Sequence, residues 1–481
     1  MNTSSPTPAA LPDAPASEQP ASSRPRARRA FSPATRFAPP RITGLDVARA
    51  LAIIGMMAAH TIDYASPVYL NDPATWSGVV DGRPSLLFAL LGGISLAFMT
   101  GTTQAPSPED MPRTRLVLTG RALTIFAIGL ALEQLGTNIA IILTLYGALY
   151  FIMIPFLRLS PAALLSWAAG FALLGPITLA ALGILLPALG PGHSLIFQPH
   201  YNLPAWLALM LTGLALGRWI KEWTSWRTGL TLLGAGALLA ALGYGTGALY
   251  APEYVASDSS TVVKPADPSS SSSADTMPSS VPAEDLDLTG YLCDDYGDFV
   301  LCQTQAGSLT AEYYPDSTAS GSLPMDSAEA ISYNAWADYL LGIIEADWAG
   351  STLDALFTAA PHSGATAEII GSGGFALAII GLSLLAVRLL SVALYPLAAL
   401  GAMPLTAYSA HVVIIWLATG PSGQVSSPLF FWCLTAGLAL FASLWLLFFP
   451  RGPLEALTLR AAQVFSGQSA SPRRRPAHRA D

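Results

Sequence analysis

The chain has 481 residues, 52% of them hydrophobic and only 11% charged, with a mean hydropathy of +0.48 and a formal net charge of −8. Soluble domains carry about a quarter charged residues, so this composition excludes a soluble globular enzyme and describes a polytopic membrane protein. There is no Gly-rich phosphate loop, HExxH, GxSxG or paired CxxC, and the basic C-terminal PRRRPAHR reads as a topology or anionic-lipid contact rather than a nucleic-acid site.

Residues 1–40 form a basic Pro, Ala and Arg-rich tail without an apolar region, expected to be disordered and cytoplasmic. The first span then serves as an uncleaved anchor. Apolar runs near 20 residues, enough for a hydrocarbon core of about 30 Å, predict an all-α fold of about ten transmembrane helices. They lie near 45–63, 85–101, 116–135, 138–157, 161–186, 203–219, 228–250, 366–387, 397–419 and 425–449. If residue 1 is cytoplasmic, 20 of the 23 Lys and Arg fall on inside segments, which puts both termini in the cytoplasm. The membrane domain thus has a first part, 41–250, with about seven helices and a second, 366–461, with about three, and 462–481 is a basic cytoplasmic tail.

Between the two parts, residues 251–365 form one large extracytoplasmic insertion holding 18 of the 31 acidic residues and a single Lys. Its first stretch, SDSSTVVKPADPSSSSSADTMPSSVPAEDLD, has too little apolar surface to fold and reads as a solvated tether. SAEAISYNAWADYLLGIIEADW carries Ile331, Trp336, Leu340 and Ile344 at helical spacing, which predicts a helix that packs locally or lies along the membrane surface. Cys293 and Cys302, in YLCDDYGDFVLCQ, face an oxidising compartment. They are a disulfide closing a short loop, contributing about 2.5 kcal/mol, or two thiols. Two sulfurs without nearby histidines do not suit a metal. Cys433 reads as a small core residue.

Polar residues inside the spans carry the chemistry. In GLDVARALAIIGMMAAH (44–60), helical periodicity puts Asp46, Arg49, His60 and, beyond the stretch, Asp63 on one face, with Arg49 and His60 about 16 Å apart along the axis. Intramembrane charges usually face a bundle interior or aqueous cavity. The plainer alternative is an Asp46–Arg49 pair near the inner interface, with His60 reaching outer headgroups. His411, in LTAYSAH with Thr406 and Tyr408, lines a pore or fills a core. His362 and Ser363 of PHSG contact an acceptor or cap a helix. Glu133 and Glu368 are weaker signals, and His193, His200 and His478 read as loop or tail residues.

The R-x10-H spacing of Arg49 and His60 resembles the membrane acyltransferases that O-acylate cell-surface glycans. LDVARALAIIGMM resembles the first-helix signature of the heparan-alpha-glucosaminide N-acetyltransferase-like family, and TWSGVVDGRPSLLFALLGGISLAFMTG resembles its second-helix region through Trp76, Gly78, Asp81, Gly92 and Ser95. PLAALGAMPLTAYSAHVVI and FPRGPLEALTLR resemble the closing helices of the DUF418 (YeiB-like) membrane proteins. The resemblance covers most of 41–157 and 366–461. It departs at His60, where the heparan-type enzymes typically have Asn, and at Pro73, where a histidine is expected before the loop tryptophan.

The resemblance implies an acyltransferase that moves an acetyl group from cytoplasmic acetyl-CoA, or another acyl-CoA, to an extracytoplasmic carbohydrate or glycolipid at a bacterial-type plasma membrane. Membrane lipids surround it, and no permanently bound cofactor, metal or nucleic acid is expected. His60 is then the general base, with Asp63 orienting its imidazole. Arg49, Arg113, Arg115, Arg121 and Arg158 are the candidates for the donor's phosphates. Asp81, His362, Ser363, Tyr408 and His411 are the candidates for the acceptor. The rival is a transporter of a small polar solute or lipid-linked substrate, marked by internal repeats and broken helices. No repeat is evident, but Pro396 and Pro404 are placed to break the ninth span. A membrane-anchored interaction protein built on the acidic insertion leaves the buried stripe unexplained.

Overall fold

The computed structural model describes residues 42–64, 68, 72–186, 202–250, 291–295, 300–304, 309–313 and 335–467. The N-terminal tail, the low-complexity tether, Ile331, His193, His200 and the basic C-terminal end with His478 lie outside them. The first part of the membrane domain contains α1 (Thr43–Ala59), α2 (Arg83–Met99), α3 (Met111–Glu133), α4 (Ile142–Ile152), α5 (Pro161–Leu185), α6 (Leu203–Trp219) and α7 (Trp226–Tyr250). After the insertion come α10 (Thr366–Leu390), α11 (Tyr395–Gly401), α12 (Pro404–Thr419), α13 (Pro428–Phe448) and α14 (Pro453–Phe465). The insertion itself contributes α8 (Ala335–Glu345) and α9 (Trp348–Phe357).

Local chemistry fixes the helix starts. Pro occupies the first turn of α2, α3, α5, α6, α12, α13 and α14, where its missing N–H costs nothing. Ser160, Asn202 and Ser427 each accept a hydrogen bond from a first-turn N–H of the helix they precede, donated by Ala163, Ala205 and Phe430, which satisfies orphan donors.

Each apolar run in the sequence carries a helix. Five of them, α3, α5, α7, α10 and α13, are long and apolar enough to cross a membrane, or seven spans if each of two bent pairs counts as one. The bends are 42° between the 3-10 turn Pro73–Val80 and α2, and 87° between α11 and α12. Pro404 starts α12, and the residue before a proline is disfavoured in the helical region. The chain turns at Met403, whose backbone is non-helical.

The bundle closes by backbone contact. A methyl on Gly236 of α7 would fall onto the backbone of Gly374 and Ala378 in α10, and one on Gly243 onto Gly371. Gly93 of α2 and Gly213 of α6 meet each other's helices in the same way. Such small-residue seams let transmembrane helices approach closely where the hydrophobic effect cannot hold them together. α1 is enclosed by α2, α10 and α11, and Gly401 of α11 lies against the carbonyl of Asp46.

Three details extend the sequence reading. α14, which apolar length alone does not mark, packs along α3, where a methyl on Gly120 would come within 2.9 Å of the Ala461 carbonyl. The insertion is not wholly helical. β1 (Tyr291–Asp295), β2 (Val300–Thr304) and β3 (Leu309–Tyr313) form an antiparallel sheet in that order, with Cys293 directly opposite Cys302. α8 is a helix as the spacing predicts, but it exposes Trp336, Leu340 and Ile344 rather than packing them locally.

Candidate active site at the two ends of α1

α1 holds Asp46 and Arg49 near its first turn and ends at Ala59, with His60 as its C-cap. Thr61 donates its hydroxyl to the Met57 carbonyl. The chain then leaves the helix axis, so Asp63 stands exposed beyond the end rather than one turn further along the polar face. The stripe expected from periodicity is therefore three residues long.

At the N-terminal end of α1, called inner for short, a cavity of about 780 Å³ is lined by Arg49, Arg121, Lys221, Tyr146, Tyr150 and Glu455, among others. Arg49 forms an ion pair with Asp46 and donates 2.9 Å to Ser95 Oγ on α2. Gly92 is needed beside it, because a methyl there would overlap the Tyr146 phenol. Glu455 of α14 accepts from the N–H groups of Leu405 and Thr406 and from the Thr406 hydroxyl. This carboxylate caps the broken α12 start.

Of the arginines considered for an anionic donor, Arg49 and Arg121 line this cavity, whereas Arg113, Arg115 and Arg158 are exposed and outside its lining. On α3, positions 113 and 115 are rotated roughly 80° and 120° from Arg121. Lys221, which sequence reading took only as a topology charge, joins the lining.

At the C-terminal end of α1, called outer for short, a cavity of about 600 Å³ is lined by His60, Asp63, Tyr64, Asp81, His362 and Tyr408, among others. Its histidine–carboxylate contact is His362 Nε2 to Asp81 Oδ1, 3.2 Å. Tyr64 donates 3.4 Å to the same carboxylate. Burial first, and then the Asp81 charge, push the Tyr64 phenol above its ordinary value, which keeps that donor protonated. Arg83 secures the outer wall, donating 3.0 Å to Tyr244 of α7 and 2.8 Å to the Gly78 carbonyl. Tyr244 in turn shares a 2.9 Å hydrogen bond with Ser372 of α10.

Two nominated residues stand behind this wall. Ser363 donates 3.1 Å to Glu368. His411 is fully buried, its ring 6.4 Å from His60 and 4.9 Å from Tyr408. The cavities back onto one another. On α2 the outer lining includes Ser85 and the inner begins at Phe88, and on α12 the inner includes Leu405 and the outer Tyr408. The linings are three positions apart on each, roughly 5 Å of rise, whereas on α1 they run from Arg49 to Met56, seven positions or roughly 10 Å.

Residues 41–251 match the family described as heparan-alpha-glucosaminide N-acetyltransferase, catalytic. Over that stretch, a little under half of its length, the chain is similar to the heparan-alpha-glucosaminide N-acetyltransferase family. No curated protein and no solved structure matches it. The family match points to acetyl transfer by a membrane protein. The N-acetyltransferase-like stretch supplies Arg49, His60, Asp81 and Arg121, while His362, Glu368, Tyr408 and His411 come from beyond it. Sequence reading ranked Glu368 low and did not pair Asp81 with His362. Nothing local signals a contact across 281 residues of chain.

Proposed function

We propose that this protein is a membrane acyltransferase that takes an acyl group, acetyl in the first instance, from cytoplasmic acyl-CoA and delivers it to an extracytoplasmic carbohydrate or glycolipid. The observation that carries the reading is the pair of cavities backing onto each other across one to two helical turns, in a chain whose residues 41–251 match an acetyltransferase family. The inner cavity offers the guanidinium groups of Arg49 and Arg121 and the Lys221 ammonium, suited to the phosphates of the donor. The outer cavity offers imidazole and carboxylate groups, suited to removing a proton from an attacking hydroxyl or amine. The thioester end of an extended donor needs to cross only the thin wall between them.

The distribution of Lys and Arg supports about ten crossings, with both termini cytoplasmic and the acidic insertion outside a bacterial-type plasma membrane. Membrane lipids surround the bundle, and the acyl-CoA is a substrate rather than a resident cofactor. The reading is tested on purified protein by following acetyl-CoA consumption with glucosamine or methyl glucoside as acceptor probes. In cells, single cysteines near residue 270 are expected to react with an impermeant reagent, and cysteines near residues 110 and 470 are not. No turnover overturns the acyltransferase reading, and labelling near residue 110 overturns the orientation.

One observation favours a second reading. The 87° break before Pro404 opens on the inner cavity, and broken helices at a binding site are a mark of transporters. Solute flux through proteoliposomes without acetyl-CoA consumption separates that reading from acyl transfer.

A further inference from the structure

His362 occupies a backbone conformation that non-glycine residues seldom take, with φ of 65°. Gly364, two residues on, shares the same φ. The turn they make is wound around the Glu368 carboxylate, which is only 3% exposed. Oε1 of Glu368 accepts from the His362 N–H at 2.7 Å, and Oε2 accepts from the Gly364 N–H at 2.6 Å and from Ser363 Oγ at 3.1 Å. A buried carboxylate is held only where donors surround it, and here those donors are the strained turn itself.

The imidazole that this turn presents is held from the other side by Asp81 at 3.2 Å. Asp81 ends the 3-10 turn before α2, and Gly82 beside it has φ of 69°. The imidazole packs against Gly82, with ring atoms 3.5 Å from where a methyl would stand. Strained residues persist where the surrounding structure over-determines them, and they cluster at functional sites.

We propose that His362 is the general base of the outer cavity, with Asp81 and Glu368 as its positioning residues. The proposal rests on the acyltransferase reading and gives His362 the role that the first-helix spacing suggested for His60. Asp81 holds the Nε2 proton, so Nδ1 is the nitrogen that accepts. The acceptor oxygen or nitrogen attacks the thioester carbonyl carbon. The new C–O or C–N bond forms, the C–S bond breaks, and the acceptor's proton moves to Nδ1. That proton then passes to the departing thiolate, which leaves the acylated product, free thiol and a neutral imidazole.

The backbone supplies a clean variant. Glycine is at ease at φ of 65°, so His362→Gly removes the imidazole and relaxes the turn. Purified full-length protein is assayed for CoA release from acetyl-CoA with glucosamine as acceptor, and CoA affinity is measured in parallel by calorimetry. His362→Gly is expected to bind CoA as the wild type does, to turn over 10²- to 10⁴-fold more slowly, and to recover rate with free imidazole. Asp81→Asn is expected to lower kcat while leaving the KM for acetyl-CoA near wild type. Full turnover by His362→Gly overturns the assignment alone. A loss matched by lost CoA affinity, or one that imidazole does not relieve, overturns it as well. Wild-type protein that consumes no acetyl-CoA overturns the acyltransferase reading and this assignment together.

Discussion

The rings of His60 and His411 lie nearly parallel, 13° apart in plane and 6.4 Å between centroids. The ring nitrogens of His411 make no well-formed hydrogen bond among the described residues, lying near the backbone of Ala407 and Tyr408. A buried polar group without a partner costs about 1–3 kcal/mol. His411→Leu is therefore expected to unfold no earlier than wild type and, with His362 rather than His60 as the base, to turn over near the wild-type rate. Thermal unfolding and turnover on the same preparation decide it. Early unfolding with normal turnover would make His411 a packing residue.

Arg49 and Asp46 carry opposite expectations for donor binding. Their ion pair sits at the inner cavity, so removing the guanidinium takes away a charge-assisted contact worth about 1.5–3 kcal/mol. Arg49→Ala should weaken CoA binding by roughly ten- to a hundredfold. Asp46→Asn removes the competing carboxylate and should leave CoA binding equal or tighter. Calorimetric titration with CoA checks both, and equal weakening in the two variants would show that the pair acts only by holding the fold.

The seam between α7 and α10 makes a matched pair of glycine substitutions informative. A methyl on Gly236 would collide with backbone atoms of α10, whereas one on Gly245 meets nothing within 4 Å. Gly236→Ala should cost about 1–3 kcal/mol through forced separation of the helices. Gly245→Ala should be neutral or stabilising by about 0.5–1 kcal/mol. Detergent-solubilised thermal melts read the difference, and equal shifts would mean that the two helices do not meet here.

Cys293 and Cys302 are register partners on β1 and β2. On the proposed orientation, which puts the insertion outside, we expect them to be oxidised, contributing about 2.5 kcal/mol to local order. Both lie on one tryptic peptide, so chymotryptic cleavage after Tyr296 or Phe299, followed by mass spectrometry under non-reducing conditions, should recover the two cysteine fragments joined. Recovery of both as alkylated thiols from protein prepared without reductant would refute the bond.

What the sequence displays is what its neighbours in the chain determine. Apolar length marks each membrane helix, and the 3.6-residue period places Asp46, Arg49 and His60 on one side of α1, because those relations are local. Asp63 breaks the pattern because the helix stops at Ala59 and periodicity has no meaning past a terminus. The pairing of His362 with Asp81 is invisible for a different reason. It depends on how α10 and α2 pack, and the insertion between them obscures their relation. The turn itself left one legible clue, Glu368 following a PHSG turn as a reverse cap, which is the arrangement of a carboxylate reaching back to earlier N–H groups. Pro404 gave the bend before α12 a visible cause, and α14 escaped because an amphipathic helix along a bundle needs no long apolar run.

The antiparallel seam that joins α7 to α10 also sets how evolution can treat everything between them. Tyr250 and Thr366 begin and end a detour whose two anchor points are already clasped together by glycine-on-glycine contact. Doubling such a detour costs only about 0.6 kcal/mol in closure entropy, so the length of the tether ahead of α8 is nearly independent of the bundle, whereas the turn at His362 before Thr366 belongs to the site. The same clasp gives two polypeptides divided in the tether a surface on which to meet, so co-expressed halves are expected to co-purify.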